Sequence, residues 1–344
     1  MPRDLAERLR DRIRRDGPIS FADFMEAALY DPDGGYYSRG APIGEGGDFV
    51  TSPSVSPAFA ATLARRFADD ASVLEGPLDF VEVAAGDGRF LADFRAALES
   101  DYPAVAGRTR LTAVERGPAA RKKLSALGLD VRPDARELPE RSVNGWIFAN
   151  ELYDALPVAR VRGTTGALEE LRVATEGERF VWVAAPAPAA WMDHLSLSGT
   201  TLEPGQIAEV RLLASDLHRR LARALARGRL VVFDYGHRAR TLFHPLARPG
   251  GTLAAHREGR RGGDPLERPG EQDLTAHVDW DELVSAGEAE GLESEGPIRQ
   301  GRYLAEAGIF DFARHEAEKW RAYRLVDPAG MGDEISVLVQ SRGM

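Results

Sequence analysis

The chain has 344 residues, enough to bury a large core as one domain or two. Its formal charge of −10 argues against general affinity for nucleic acid or for anionic membranes, and the absence of cysteine excludes disulfides and thiolate metal sites. No stretch reaches transmembrane length, and the N-terminus carries early acidic residues rather than a signal peptide's apolar core, so we expect a cytoplasmic protein.

Two amphipathic helices and a long loop are predicted before the first strand. Residues 4–15 and 21–29 carry apolar side chains at helical spacing, and Ser20 is placed to cap the second helix. Residues 38–57 are rich in Gly, Pro and Ser, which is typical either of a lid over a ligand or of an ordered surface loop. A further helix is predicted at about 57–69.

The first predicted strand ends in a glycine turn around which the chain is organised. Phe80–Val83 reads as a buried parallel strand that contains Glu82, and a turn with Gly86 and Gly88 leads into a helical pattern. Leu91 stands where the dinucleotide fingerprint needs a third glycine, so the match is to the looser pattern of S-adenosylmethionine (SAM) methyltransferases. The alternative is a tight strand-to-helix turn of any doubly wound protein.

The second predicted strand, Leu111–Glu115, also ends in a carboxylate. A carboxylate at this position can accept hydrogen bonds from both hydroxyls of a ribose. Alternatively, Glu115 is a favourable charge at the start of the helix that follows Pro118. A short third strand is expected around Val131.

The remaining segments predict more strands, a hairpin and two insertions. In chain order they are a fourth strand at Trp146–Ala149, a hairpin at 160–183, a loop at 184–206, a helix at 209–226, a fifth strand at Leu230–Gly236, a polar excursion at 237–276, a helix at 278–291 capped by Asp279, partly helical residues 303–325, and a last antiparallel strand at Ile335–Gln340 on the sheet edge.

Six stretches, in this order, resemble the MidA-like SAM-dependent methyltransferases: Gly34–Tyr37, Gly47–Pro53, Asn150–Pro157, Asp234–Gly236, Pro269–Asp279 and Gly330–Asp333. This family is related to the mitochondrial complex I assembly factor that methylates an arginine. The resemblance runs from about residue 17 to 340 and implies a Rossmann-like, class I α/β fold with a seven-stranded, mostly parallel sheet. We therefore expect N-terminal helices and a lid loop at 1–75, and a methyltransferase domain at 76–344 with insertions at about 158–206 and 237–276.

The resemblance also implies SAM as the cofactor. The expected cofactor-binding residues lie mainly in the lid loop and at the carboxyl ends of strands, where ligands bind in open α/β sheets. They are Gly47, Asp48, Phe49, Thr51, Ser52, Glu82, Gly86, Gly88, Glu115, Asp134 and Asn150. Two positions depart from the family pattern: Ser54 replaces a usual glutamate, and Ala84–Gly88 replaces a more glycine-rich turn. The second still permits SAM binding, whereas the first leaves the methyl acceptor open.

Glu151 and Asp154 are the candidate catalytic residues, because a guanidinium acceptor needs carboxylates that hold it and take its proton. Their spacing places them on one face of a starting helix. Alternatively, Asn150 or Asp154 caps that helix and Glu151 binds backbone amides. His237 and His277 could serve as bases for an oxygen acceptor, but a structural role is the simpler interpretation.

Three functions are compatible with the sequence. The first is N-methylation of arginine on a protein, the second is O- or N-methylation of a small molecule, and the third is a non-enzymatic assembly factor with a vestigial SAM site. We expect a protein or small-molecule acceptor as the partner, no nucleic acid, no membrane and no metal, and the sequence leaves a homodimer open.

Overall fold

A computed structural model describes residues 4–39, 50–257 and 259–344. The helices are α1 Leu5–Asp16, α2 Phe21–Tyr30, α3 Ser52–Val55, α4 Pro57–Ala71, α5 Arg89–Asp101, α6 Pro103–Ala106, α7 Pro118–Ala126, α8 Ala189–Leu197, α9 Leu212–Ala224, α10 Ala239–Leu242, α11 Trp280–Ala289, α12 Gln300–Glu306, α13 Glu316–Val326 and α14 Met331–Glu334. The strands are β1 Leu78–Val83, β2 Thr109–Val114, β3 Asp130–Arg132, β4 Val143–Asn150, β5 Ala159–Thr164, β6 Ala167–Glu176, β7 Arg179–Pro186, β8 Ile207–Val210, β9 Leu225–His237, β10 Ala254–Arg257, β11 Arg260–Arg261, β12 Asp273–Thr275, β13 Val278–Asp279, β14 Glu293–Arg299 and β15 Ile335–Arg342.

The central sheet has the strand order β14-β15-β9-β4-β1-β2-β3, and the short β13 pairs with the end of β9. Strands β3, β2, β1, β4 and β9 run parallel, and β15 runs antiparallel to β9. The mostly parallel α/β sheet is therefore confirmed. The prediction that the last strand lies at the sheet edge was wrong, because β15 lies between β9 and β14.

The edge strand β14 was not predicted. Its sequence contains Gly296 and Pro297, and its pairing with β15 is irregular between Glu295 and Ile298. Proline has no N–H to donate to a neighbouring strand and is confined to edge strands and bulges. The sequence of this segment alone is therefore typical of a turn, and only the pairing with β15 makes it a strand.

Aromatic side chains fill one face of the central sheet. Phe80 of β1 packs against Phe94 of α5 with ring centroids 4.0 Å apart, and Phe67 of α4 meets Phe80 edge-on at 5.5 Å. Trp146 of β4 completes the layer and donates its indole N–H to Asp70 at 2.7 Å. Buried aromatics of this kind each remove about 150–250 Å² from water, so the strand ends that carry the site have a rigid base.

The N-terminal helices pack on a second sheet rather than on the central one. This antiparallel sheet has the order β7-β6-β5-β8, and a third, small sheet has the order β11-β10-β12. Phe24 of α2 meets Phe180 of β7 with ring centroids 5.3 Å apart. The predicted cap is confirmed, because the Ser20 hydroxyl accepts a hydrogen bond from the Asp23 N–H at 3.0 Å.

The prediction of a loop at 184–206 was wrong in its first part. Strand β7 continues to Pro186, and α8 follows at Ala189–Leu197. Leu195 of this helix is buried in a small cluster with Val161 of the second sheet, so tertiary packing rather than a strong local pattern stabilises the helix. The division of the chain into residues 1–75 and 76–344 stays a prediction. Within the described ranges, none of the helices has both the length and the apolar character needed to cross a membrane.

Candidate functional site

The turn after β1 reverses the chain within a few residues. Gly86 and Gly88 have φ angles of 54° and 81°, and Ala84, which is not a glycine, has a φ of 61°. Left-handed backbone of this kind favours glycine and costs an alanine about 1 kcal/mol or more. A Cβ added at Gly88 would lie 2.8 Å from the side chains of Leu124 and Leu127, so this glycine also permits close packing against α7.

Glu115 fixes this turn from the neighbouring strand. Its Oε2 accepts a hydrogen bond from the Gly86 N–H at 3.0 Å, and its Oε1 accepts one from the Gly117 N–H at 2.6 Å. Burial raises the pKa of Glu115, and these backbone donors oppose that rise. The alternative role at the start of the next helix is therefore present, since Gly117 is the N-cap of α7. A carboxylate has about four lone-pair sites, so two remain for hydroxyl donors of a ligand.

Two buried acceptor atoms at the strand ends have no hydrogen-bond partner among the described residues. They are Oε2 of Glu82, at the end of β1, and Oδ1 of Asn150, at the end of β4. Glu82 is 4% exposed, and burial raises its pKa well above the ordinary range, with Asp87 and Glu115 adding to the rise. Buried polar atoms are normally paired, so both atoms indicate a ligand with donors at this edge.

Glu151 lies directly after β4 in a left-handed conformation, with a φ of 51°. Its Oε1 accepts hydrogen bonds from the Asn150 amide at 3.0 Å and from the Ser52 backbone N–H at 3.3 Å. Burial raises the pKa of Glu151 to about 8, the Asn150 and Ser52 donors oppose the rise, and Asp234 and Asp273 add to it. A carboxyl group with this pKa can change its protonation near neutral pH.

Asp234, at the tip of β9, shapes the segment that carries the candidate catalytic residues. Its carboxylate accepts backbone hydrogen bonds from Leu152 at 3.1 Å, Tyr153 at 2.7 Å and Tyr235 at 2.8 Å. Residues 151–156 are therefore held as a turn, and the predicted helix at Glu151 and Asp154 was wrong. The carboxylate captures backbone N–H groups that would otherwise start a helix.

Asp154 and Asp273 extend this group of acids. Asp154 is 5% exposed, and burial followed by repulsion from Asp234, Glu151 and Asp273 raises its pKa well above the ordinary range. Asp273 belongs to β12, far along the chain, and is 4% exposed. We refer to Glu151, Asp154, Asp234 and Asp273 as the acidic cluster. Sequence reasoning missed Asp234 and Asp273 as site residues, although both lie within stretches that carry the family resemblance.

Two tyrosines from the N-terminal region contact the same part of the molecule. Tyr37 donates its hydroxyl to Asp273 at 2.9 Å, and Tyr30 donates its hydroxyl to the Ala155 carbonyl at 2.9 Å. Their rings stack with centroids 5.5 Å apart, and the Arg116 guanidinium lies 3.9 Å from the Tyr30 ring centroid. Helix α2 and the turn after it thus supply aromatic side chains beside the acidic cluster, which the sequence alone did not indicate.

The predicted cofactor-binding residues between positions 47 and 52 are only partly described by the structure. Gly47, Asp48 and Phe49 lie outside the described residues. Thr51 and Ser54 form a local cap, in which the Thr51 N–H donates to the Ser54 hydroxyl at 3.0 Å. The unusual Ser54 is therefore compatible with the start of α3.

Asp134 and the two histidines have local partners. The Asp134 carboxylate accepts from the Arg136 N–H at 2.7 Å and from its guanidinium at 2.6 Å, and this pairing lowers the pKa of Asp134. His237 accepts a hydrogen bond at Nε2 from Arg248 at 2.7 Å, and burial lowers its pKa to about 4. Burial lowers the pKa of His277 to about 3. In the described part of the chain, no group of three or more acidic or histidine side chains could hold a metal ion.

Comparison with known proteins identifies the family. Residues 62–298, well over half of the chain, match a family model described as "Putative S-adenosyl-L-methionine-dependent methyltransferase". The chain belongs to this methyltransferase family. The methyltransferase is also similar to a Burkholderia thailandensis protein whose crystal structure contains S-adenosyl-homocysteine, with 32% identity and a TM-score of 0.87 over 98% of this chain and 92% of that chain.

Relatives from animals align along most of the methyltransferase. It is 27% identical to "Protein arginine methyltransferase NDUFAF7 homolog, mitochondrial" from Drosophila melanogaster, over 99% of this chain and 85% of that protein. It is 26% identical to "Protein arginine methyltransferase NDUFAF7, mitochondrial" from Homo sapiens, over 87% of this chain and 72% of that protein.

SAM, the cofactor of this methyltransferase, fits the residues at the strand ends. SAM carries an ammonium group and ribose hydroxyls, which are the donors that the buried oxygens of Glu82 and Asn150 lack. Glu115 keeps lone pairs for hydroxyl donors, and the Gly86 turn brings backbone close to this edge. When bound, SAM supplies a methyl group already activated on a sulfonium.

Proposed function

We propose that this methyltransferase transfers the methyl group of SAM to a guanidinium nitrogen of an arginine in a protein. Its relatives from Drosophila melanogaster and Homo sapiens are named as protein arginine methyltransferases. The observation that carries the proposal is the acidic cluster, in which carboxyl groups from three separate segments lie together, and burial followed by repulsion from neighbouring acids raises the pKa of Glu151 and of Asp154. A cation that enters such a group is stabilised by the same charges that disfavour ionisation in its absence.

Glu151 is the proposed proton acceptor. A guanidinium is a planar cation with five N–H donors, which carboxylates can hold in a fixed orientation. Methylation leaves one proton to be removed, and a carboxyl group with a pKa of about 8 lies near the pH at which a base is most effective. Asp154 would orient the acceptor, and Asp234 would hold the segment that carries both residues through its three backbone hydrogen bonds.

The test is to incubate the purified protein with methyl-labelled SAM and cell lysate, and to hydrolyse the labelled proteins to amino acids. Labelled methylarginine is the expected product. The control variant Gly86→Val places a branched side chain in the left-handed turn and should abolish SAM binding and labelling. Label found only in small molecules would contradict the proposal and favour a small-molecule acceptor.

We also propose that the chain belongs to the MidA-like branch of the family and acts in the cytoplasm. The first proposal is supported by the six stretches described above, from Gly34–Tyr37 to Gly330–Asp333. The second needs a separate test, because the animal relatives carry "mitochondrial" in their names. Fractionation of the source cells, with an antibody against this chain, would contradict the second proposal if the protein were found in an organelle.

A further inference from the structure

Ser52 connects the candidate site to the C-terminal helices. It begins α3, directly after Thr51, and is completely buried. Its backbone N–H donates to Oε1 of Glu151 at 3.3 Å, while its hydroxyl donates to Oε1 of Gln300 at 2.8 Å. One residue therefore contacts both the proposed proton acceptor and a side chain outside the site.

Gln300 is also completely buried and begins α12. Its amide nitrogen donates to the carbonyl of Leu325 at 3.0 Å and to the carbonyl of Met331 at 3.5 Å. The amide group has two donors and one acceptor oxygen, and all three functions are used. The orientation of the side chain is thus fixed by the end of α13 and the start of α14, so its oxygen must face Ser52.

This arrangement gives a physical reason for the glycine at position 332 in the Gly330–Asp333 stretch, to which the proposed function assigns no role. A Cβ added at Gly332 would lie 2.5 Å from the carbonyl carbon and oxygen of Val326. A Cβ added at Gly301, next to Gln300, would lie 2.6 Å from the same oxygen and 3.2 Å from the Gly332 Cα. The two glycines let three backbone segments approach closely, which brings the Met331 carbonyl within reach of Gln300.

We propose that Gln300 is a positioning residue that holds Ser52 against Glu151. The inference rests on the proposed roles of Ser52 in cofactor binding and of Glu151 in proton transfer. Gln300 acts through Ser52, and the close-packed segment from α12 to α14 supports Gln300.

A matched pair of variants tests this proposal, namely Gln300→Met and Gln206→Met. Gln206 is also buried and lies directly before β8; its amide nitrogen donates to the Phe243 carbonyl at 2.8 Å, and its Oε1 accepts from the Glu203 N–H at 3.0 Å. Both of these partners lie outside the candidate site. Both variants should lower the melting temperature, but only Gln300→Met should weaken SAM binding, by about three- to tenfold in Kd by calorimetry.

The pH profile supplies a second readout. The Ser52 N–H is one of the donors that oppose the rise in the pKa of Glu151. Gln300→Met should therefore shift the rising limb of the activity profile to higher pH, and Gln206→Met should leave it unchanged. Equal SAM affinity and equal profiles for the two variants would overturn the proposal.

Ser52→Ala removes the same hydrogen bond from the other side and keeps the bonds from Gln300 to Leu325 and Met331. It covers the case in which Gln300→Met does not fold. We expect a similar loss of SAM affinity with a small change in melting temperature, and a double variant no weaker than Gln300→Met alone. Unchanged affinity in Ser52→Ala, with a wild type that binds SAM, overturns the positioning role only. A wild type that does not bind SAM overturns the cofactor site as well.

Discussion

At the residue scale, Glu151 is the position where environment and chemistry are most closely linked. Its pKa of about 8 means that the carboxylate form increases as the pH rises through that value. If this form accepts the proton, turnover at saturating SAM should rise from pH 6 and level off above about pH 9. Glu151→Gln should reduce turnover by about 10²–10⁴-fold, flatten the profile and leave SAM affinity almost unchanged.

The same variant has an expected effect on stability with a definite sign. The pKa of Glu151 in the folded protein lies above the ordinary value of 4.5, so ionisation costs free energy of folding. This cost is absent below about pH 4.5, grows between about pH 4.5 and 8, and is constant at higher pH. At pH 9, Glu151→Gln should therefore be more stable than wild type by about 1–3 kcal/mol in the free energy of unfolding and should melt at a higher temperature. At pH 4 the two proteins should melt at similar temperatures. A lower melting temperature at both pH values would indicate a purely structural role.

Glu115 joins two functions in one carboxylate, since it holds the Gly86 and Gly117 N–H groups and has lone pairs left for a ribose. Glu115→Ala should weaken SAM binding by about 1–3 kcal/mol, the usual cost of losing hydrogen bonds to a charged acceptor. Glu26→Ala is the control, because Glu26 pairs with neighbouring Arg116 and its loss changes the net charge equally. Calorimetry that gave the same Kd for both variants would place the ribose elsewhere.

At the element scale, the sequence predicts segments whose signals are local. Buried strands with continuous apolar runs, such as β1 and β4, and caps such as Ser20 and Asp279 are found where they were expected. The edge strand β14 and the turn at 151–156 were not, because their conformations depend on neighbours. In the second case the neighbour is the Asp234 carboxylate, which is 81 residues away in sequence from Tyr153.

The residues of the candidate site also divide into those with a local signal in the sequence and those without one. Carboxylates at the ends of predicted strands, such as Glu82, Glu115 and Glu151, could be found from their position alone. The hydrogen bond between Tyr37 and Asp273 could not, because it joins residues 236 positions apart on segments without regular periodicity. Their assembly depends on how the N-terminal helices pack, which no local pattern determines.

Gly270 tests that packing directly. It has a φ of 87°, and an added Cβ would lie 2.1 Å from the Gly34 carbonyl oxygen, so two stretches of the family resemblance meet backbone to backbone. Gly270→Ala should lower the free energy of unfolding by about 2–4 kcal/mol and reduce arginine methylation, because Asp273 and Tyr37 would separate. SAM affinity should change by less than about twofold, since the Gly86 turn is untouched.

Gly177→Ala is the matched control for Gly270→Ala. Gly177 has a φ of 59°, but an added Cβ would meet no atom within 4 Å. The free energy of unfolding of this variant should therefore fall only by the cost of a left-handed alanine, about 1 kcal/mol, and its activity should be that of wild type. Equal losses of stability and activity in the two variants would show that the contact with Gly34 has no special role.

At the scale of the whole molecule, the two sides of the site come from different layers. The central sheet supplies several of the residues expected to bind SAM, among them Glu82 on β1 and Asn150 on β4. Helix α2, which packs on the second sheet, supplies Tyr30 beside the acidic cluster, and the turn after it supplies Tyr37. Changes in the N-terminal layer should thus affect the acceptor more than the cofactor.

The overall charge predicts how the acceptor arrives. A net charge of −10, with buried carboxylates at the site, should attract a basic peptide by long-range forces that salt screens, over about 10 Å at 0.1 M ionic strength. For an arginine peptide flanked by lysines, KM should rise about three- to tenfold between 20 mM and 500 mM salt, whereas kcat stays within about twofold. A peptide of equal length with serine flanks should show a much smaller rise, because it carries only the guanidinium itself. Steady-state kinetics at saturating SAM measure both, and a KM that is independent of salt for the lysine-flanked peptide would mean that recognition depends on short-range contacts alone.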